Sequence, residues 1–316
     1  MPQLKRRALP WANLDDSLQR VLLWLNACRL LRRDDLISIA WTSPISRQWI
    51  SAALQGWTDD SFIVAIDDGT AYTLGDTGAV KLIEAGVETS CVEATPAPRV
   101  RAGLLLASQF AVSLAHDLLL ETGVSHFTWV STPFSGAGPR PDGCGGLRYS
   151  LARQSLREVG SLDLLHLTMP DDPPPAGQRS MELLLEVDLG TETAEQLQQR
   201  AKRWATALRD QRAHMAPRCW PYVLWVTSGG WDRANTIWRA WLANAACPLF
   251  ITTVAMLTIN SALHPWYALW RDEHGRPRTL NPYGGQEAVW RFQASPPPEH
   301  ASLEKAIRAW EATQHV

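Results

Sequence analysis

Two acidic residues, Glu186 and Asp188, stand two positions apart at the end of the apolar run MELLLEVD (181–188), just before Gly190 and a segment of helical periodicity. On a strand, residues two apart project from the same face. Carboxylates that converge at a strand end can hold Mg2+ or Mn2+, because hard cations take oxygen ligands. Such an ion activates water and stabilises a departing phosphate oxygen, which is the chemistry of metal-dependent DNA cleavage. The same residues also admit a purely structural reading. Gly190 and Thr191 would make the turn, Thr191 or Thr193 would cap the next helix, and Glu192 and Glu195 would favour its positive N-terminus.

A metal site needs a further acid from a neighbouring strand. Asp163 heads the apolar run LDLLHLTM and stands in a hairpin relation to 181–188, so Asp163, Glu186 and Asp188 form the preferred catalytic and metal-binding set. Asp142, in GPRPDGCGG, is the alternative first acid; it matches a Pro-Asp signature, but the glycines after it make a poor strand. Two residues past the acid, where a Lys usually completes such a site, this chain has Asp188. Charge compensation then falls to Arg200 or Lys202 on the following helix. An Arg cannot serve as the base, since its proton is held above a pKa of about 12. Catalysis, metal binding without turnover and a structural strand rim all remain open at this point.

These residues need elements to position them. Helical periodicity covers 15–29, 32–41 and 42–57, the last with Ser43 before Pro44 and Gly56 as a stop. SFIVAIDDGTAYTLG then reads as a β-hairpin around Asp68-Gly69, and GDTGAVKLIEAG as another helix. Three helices followed by a hairpin is the order of a winged helix-turn-helix. The third helix would read double-stranded DNA through Ser46, Arg47, Gln48 and Ser51, with one cation only for phosphates. Residues 87–103 have the Pro/Thr/Ala composition of a linker. Beyond it a long helix, strands at 126–131, 161–169 and 181–188, a helix at 193–208, a strand at 222–227, a helix at 231–243 and a strand at 249–254 follow in order. Three strands in succession imply a meander, and the strand-helix-strand that follows implies a parallel right-handed crossover. The expected fold class is α/β (α+β). A winged helix-turn-helix at 12–88 precedes a restriction-endonuclease-like αβββαβ domain at 100–270, and a Pro-rich tail with a C-terminal helix occupies 271–316.

Bulk composition narrows the classes. Hydrophobic residues make up 46% and charged residues 20%, as in ordinary globular chains. The net charge of −2 leaves no global basic field, so nucleic-acid binding must come from local patches. Five scattered cysteines without a CxxC pair indicate neither a disulfide framework nor a zinc cluster and fit a reducing cytoplasm. No apolar run is long and uninterrupted enough for a membrane span, and no phosphate-binding loop, dinucleotide fingerprint, HExxH or GxSxG motif occurs.

The segment LLLEVDLGTETAEQLQQRAKRWATAL resembles the replication-relaxation family of plasmid and mobile-element proteins, in which an E-x-D-x-G-T-E strand-to-helix turn is characteristic. Glu186, Asp188, Gly190, Thr191 and Glu192 match that turn, and Trp204 matches an aromatic position; Arg200 stands where a Lys is common. The resemblance implies a winged helix joined to a nuclease-like domain. It also implies duplex DNA and replication, transfer or other mobile-element proteins as partners. The function expected is a DNA-associated accessory factor whose nuclease-like domain is inactive. A metal-dependent endonuclease and a protein-interaction scaffold without nucleic-acid binding are the alternatives.

Overall fold

Asp15 starts the first helix by accepting the Ser17 N–H at 3.0 Å, and α1 runs Asp16–Cys28 with Leu18, Val21, Leu22 and Leu25 buried on one stripe. The computed structural model describes residues 11–41, 45–89, 97–120, 124–131, 141–150, 165, 178–212, 222–244, 249–254, 257 and 267–268. After α1 come β1 (Leu30–Arg32), α2 (Arg33–Ala40), α3 (Arg47–Asp59), β2 (Ile63–Ile66), β3 (Ala71–Leu74) and α4 (Asp76–Glu84). The expected hairpin is present as β2–β3, with Asp67, Asp68 and Gly69 at positive φ in its turn. β1 was not legible as a strand. It has three residues, too few for periodicity, and is defined by antiparallel pairing of Leu30, Leu31 and Arg32 with Thr73, Tyr72 and Ala71. The sheet order is β1-β3-β2.

α5 spans Pro98–Leu120, so the last six residues of the expected linker are helical, with Pro98 in the first-turn position where a missing N–H costs nothing. The second sheet is built from β4 (Val124–Val130), β5 (Gly143–Ser150), β6 (Gln178–Asp188), β7 (Tyr222–Thr227), β8 (Leu249–Thr253) and β9 (Tyr267–Ala268), paired in that order. β4-β5-β6 is an antiparallel meander; β6, β7 and β8 run parallel, with α6 (Ala194–Arg212) and α7 (Gly230–Asn244) as the crossovers.

The middle strand of the meander is not 161–169, as the sequence had suggested, but Gly143–Ser150. The reason is packing. Trp129 on β4 lies across Gly143 and Gly145, and a Cβ added to them would stand 2.5 Å from Trp129 Cζ2 and 2.8 Å from its Cε3. The glycines that weaken intrinsic strand propensity are what lets the indole lie flat on this strand. Of 161–169, Leu165 is described; it forms an isolated parallel bridge to Phe127.

A single buried cluster joins both sheets. Trp24 of α1 meets Phe127 of β4 with ring centroids 6.3 Å apart, and Phe110 of α5 meets Trp129 at 5.7 Å. Ser131 N–H donates to Ala27 O at 2.7 Å, tying the end of β4 to α1. Leu104 and Leu105 of α5 pack on Leu30, Ile66 and Ala71 of the first sheet.

Candidate functional site

Both faces of the C-terminal half of β6 are buried, with Leu183, Leu185 and Val187 on one and Leu184, Glu186 and Asp188 on the other. Glu186 is registered beside Trp225 of β7, and Asp188 beside Thr227. Parallel pairing therefore carries the two carboxylates onto the face that α6 covers, at the strand ends where crossover helices begin. Gly190, at φ +75°, turns the chain, and Thr193 caps α6 reciprocally with Gln196: each backbone N–H donates to the other's side-chain oxygen, at 3.2 and 2.8 Å. The structural half of the EVDLGTET reading is realised by Thr193, not Thr191.

Asp142 immediately precedes β5 and continues its ladder by other means. Its N–H donates to Leu185 O at 2.7 Å, and its Oδ2 accepts the Val187 N–H at 2.8 Å. Burial pushes its carboxyl up, the Val187 hydrogen bond and Arg200 working the other way. The acid brought next to Glu186 is thus Asp142. Asp163, preferred from sequence, lies outside the described residues.

Glu186 is 1% exposed. Trp204 Nε1–H of α6 donates to its Oε1 at 2.8 Å, and Arg200 Nε stands 3.0 Å from its Oε2. That second contact acts by charge, since no donor is in line with Oε2. Burial pushes the Glu186 carboxyl up to about 8 despite Arg200 and Trp204. Arg200 reaches further: Nη1 lies 3.5 Å from Glu192 Oε2 and 3.4 Å from Val187 O, and its Cζ sits 5.2 Å from the Trp225 ring centroid. Lys202, the other helper expected from sequence, is exposed on α6.

Asp188 has a partner that sequence reasoning missed. Arg233, in the first turns of α7, grips it with Nε to Oδ2 at 2.9 Å and Nη2 to Oδ1 at 2.6 Å, while Thr227 Oγ1 donates to Oδ2 at 2.6 Å. Burial pushes this carboxyl up, but the hydrogen bonds from Arg233 and Thr227 outweigh it and hold it below its ordinary range. The available signal was positional: α7 starts where β7 ends, beside the end of β6, so polar residues in its first turns fall at Asp188.

A cavity of about 360 Å3 opens beside this cluster, lined by Arg99, Gly103, Asp142, Asp188, Glu192 and Arg200 among others. The donors do not fit a divalent ion as arranged. Mg2+ asks for about six oxygen ligands near 2.1 Å. Both oxygens of Asp188 are committed to Arg233 and Thr227, those of Glu186 face Trp204 and Arg200, and Asp142 Oδ2 is held by the backbone. Among the described residues no group of three or more His, Cys, Asp or Glu is arranged to hold a metal ion.

The expected DNA-reading residues lie elsewhere, on α3. Ser46 caps the helix by accepting the Trp49 N–H at 3.3 Å, and Ser46, Arg47, Gln48 and Ser51 are all exposed. Leu54 is the one fully buried side chain of α3; Trp49 and Trp57 hold the helix to Trp41, each with ring centroids 5.4 Å away. Arg33 Nη2–H donates to Ser51 Oγ at 3.3 Å and adds a second cation to this face. The neighbouring hairpin tip is acidic, and its Asp67 pairs with Arg101 of α5.

No protein-family profile matches the chain, and no curated protein is similar to it. Among solved structures, the restriction endonuclease FokI is similar at 13% identity and a TM-score of 0.27, over 81% of this chain and 46% of that one. This chain therefore spans less than half the length of that enzyme's structure. Among the described residues no helix is long and apolar enough to cross a membrane.

Proposed function

We propose that this chain is a cytoplasmic, duplex-DNA-associated accessory factor of a plasmid or other mobile element. It belongs on this reading to the replication-relaxation family. A winged helix-turn-helix reads DNA, and a restriction-endonuclease-like body serves as a non-cleaving platform for replication or transfer proteins. The observation that carries the reading is α3: one fully buried residue, and a solvent face of Ser46, Arg47, Gln48, Ser51 and Gln55 beside an antiparallel hairpin. A helix of this kind enters a major groove about 12 Å wide, where Arg pairs with guanine and Gln with adenine. The element order α1-β1-α2-α3-β2-β3 supports the winged-helix reading, and α5-β4-β5-β6-α6-β7 supports the nuclease-like one. The mobile-element setting rests on the EVDLGTE segment alone.

The test is binding to a pool of random-sequence duplexes, followed by selection and fluorescence anisotropy. Arg47→Ala should weaken binding to a selected site by about 1–3 kcal/mol and relax preference at one base pair. Binding that is unchanged in Arg47→Ala removes α3 as the reader.

A metal-dependent endonuclease is the second reading, favoured by the approach of Asp142 to Glu186 across β5 and β6. Nicking of supercoiled plasmid in Mg2+ or Mn2+ that disappears in Glu186→Gln would establish it. No nicking by the parent protein sets it aside.

A further inference from the structure

α4 turns an apolar, acid-rimmed face to solvent. Its Leu82 points inward and is fully buried, and Gly78 lets the helix press onto α1: a Cβ there would stand 2.4 Å from Phe62 O and 2.8 Å from Leu22 Cδ2. With the inner face fixed in this way, the helical period puts Val80 and Ile83 outward, one turn apart. They are 53% and 61% exposed. Beside them Asp76, Glu84 and Glu88 are exposed, while Lys81, the one cation of α4, is buried with its Nζ 2.6 Å from Glu84 Oε2. The face offers apolar contact ringed by negative charge.

Those charges decide between occupants. Duplex DNA is repelled, because its phosphates carry the same sign as the rim. A second copy packed about a two-fold axis would bring Asp76 and Glu84 against the same acids. A basic polypeptide segment with apolar side chains fits both the stripe and the rim. The sequence holds one beside α4. Residues 1–10, MPQLKRRALP, lie outside the described residues; they carry Lys5, Arg6 and Arg7 between Leu4 and Leu9. They lead into the 3-10 turn Trp11–Asn13, which lies against α4. Ten extended residues reach about 33 Å, against about 14 Å for the nine residues of α4. A tether this short gives an effective concentration of about millimolar, so individually weak contacts suffice.

We propose that the outer face of α4 is a docking site for a basic, leucine-bearing segment, and that residues 1–10 of this chain are its occupant. The leucines supply apolar contact to Val80 and Ile83, and Lys5, Arg6 and Arg7 supply charge to the acidic rim. The proposal holds whether or not α3 reads DNA, because it concerns only α4.

The experiment is photo-crosslinking in the full chain, with Ile83→benzoylphenylalanine on α4 and the products located by mass spectrometry. Gln198→benzoylphenylalanine, on the exposed side of α6, is the reference, and Val80→benzoylphenylalanine serves where the first protein does not fold. Irradiation should join position 83 to a residue among 1–10 of the same chain, as a product of monomer mass and well above the reference. Its yield should fall at least about threefold at about 1 M salt, where the Debye length is about 3 Å. Lys5→Glu/Arg6→Glu/Arg7→Glu should lower it as far. Crosslinks at position 83 that join two chains, that fall elsewhere in the chain, or that are no more frequent than at position 198 overturn the proposal. So does a product with residues 1–10 that salt and charge reversal leave unchanged.

Discussion

Burial pushes the Glu186 carboxyl from its ordinary 4.5 up to about 8, against the pull of Arg200 and the Trp204 N–H. The folded state therefore holds this proton more tightly than the unfolded chain does. The stabilising contribution is whole below about pH 4.5 and is lost as pH rises through about 8. Asp35 on α2 adds to the same trend, since burial lifts it to about 6. Glu186→Gln cannot ionise, so its stability relative to the parent should improve steadily from pH 5 to pH 8.5. Denaturant midpoints across that range check it, and parallel curves for the two proteins would contradict it. Trp204→Phe keeps an aromatic, though smaller, side chain and removes the donor to Glu186 Oε1, leaving a buried oxygen without its partner. The expected loss is about 1–3 kcal/mol, read from chemical denaturation.

Among the elements, α1 and β5 mark what local pattern makes legible and what it does not. The cap and apolar stripe of α1, the hairpin β2–β3, and the succession from β6 through β8 follow local patterns of period 3.6 or 2, and the sequence reading finds them. β5 has no such pattern. GCGGLRYS reads as loop because its strand character comes from Trp129 on the neighbouring strand, a contact that periodicity cannot carry. Placing the hairpin at 161–169 favours Asp163, which lies outside the described residues, and placing it at 143–150 brings Asp142 to Val187 and Glu186. Spacing puts Glu186 and Asp188 on one face of a strand, and charge compensation points to Arg200 or Lys202; the structure sets Arg200 beside Glu186 and leaves Lys202 exposed. Arg233 was not legible, because its meeting with Asp188 depends on a crossover between distant segments. The glycine argument is testable. Gly143→Ala should destabilise by about 1–3 kcal/mol through overpacking against Trp129, and a Trp129→Leu background should remove most of that cost. Equal costs in both backgrounds would mean that the indole is not the constraint.

At the scale of the whole molecule, α5 links the two sheets. Its Arg99 Nη2–H donates to Thr191 beside the carboxylate cluster, its Arg101 pairs with Asp67 at the hairpin tip, and His116 meets Ser38 of α2 at 3.1 Å. With Trp24, Phe110, Phe127 and Trp129 in one cluster, the N-terminal elements and the second sheet should unfold in a single transition, seen as coincident melts by far- and near-UV circular dichroism. Electrostatics at this scale are modest. On the proposed DNA-binding role, a net charge of −2 and an α3 face with Arg33 and Arg47 predict few neutralised phosphates, and log K falls by only about 0.9 per phosphate for each decade of salt. Affinity for a selected site should then come mainly from base contacts along α3. The most direct measurement is the fluorescence anisotropy of a selected duplex with the parent protein in EDTA and in Mg2+, over a salt series, with the DNA recovered and sized afterwards. Tight binding in EDTA, a shallow salt slope and intact DNA in Mg2+ are the results predicted. Binding that requires Mg2+, or cleavage that Glu186→Gln abolishes, would contradict a metal-free reader and make the cluster at β6 an active site.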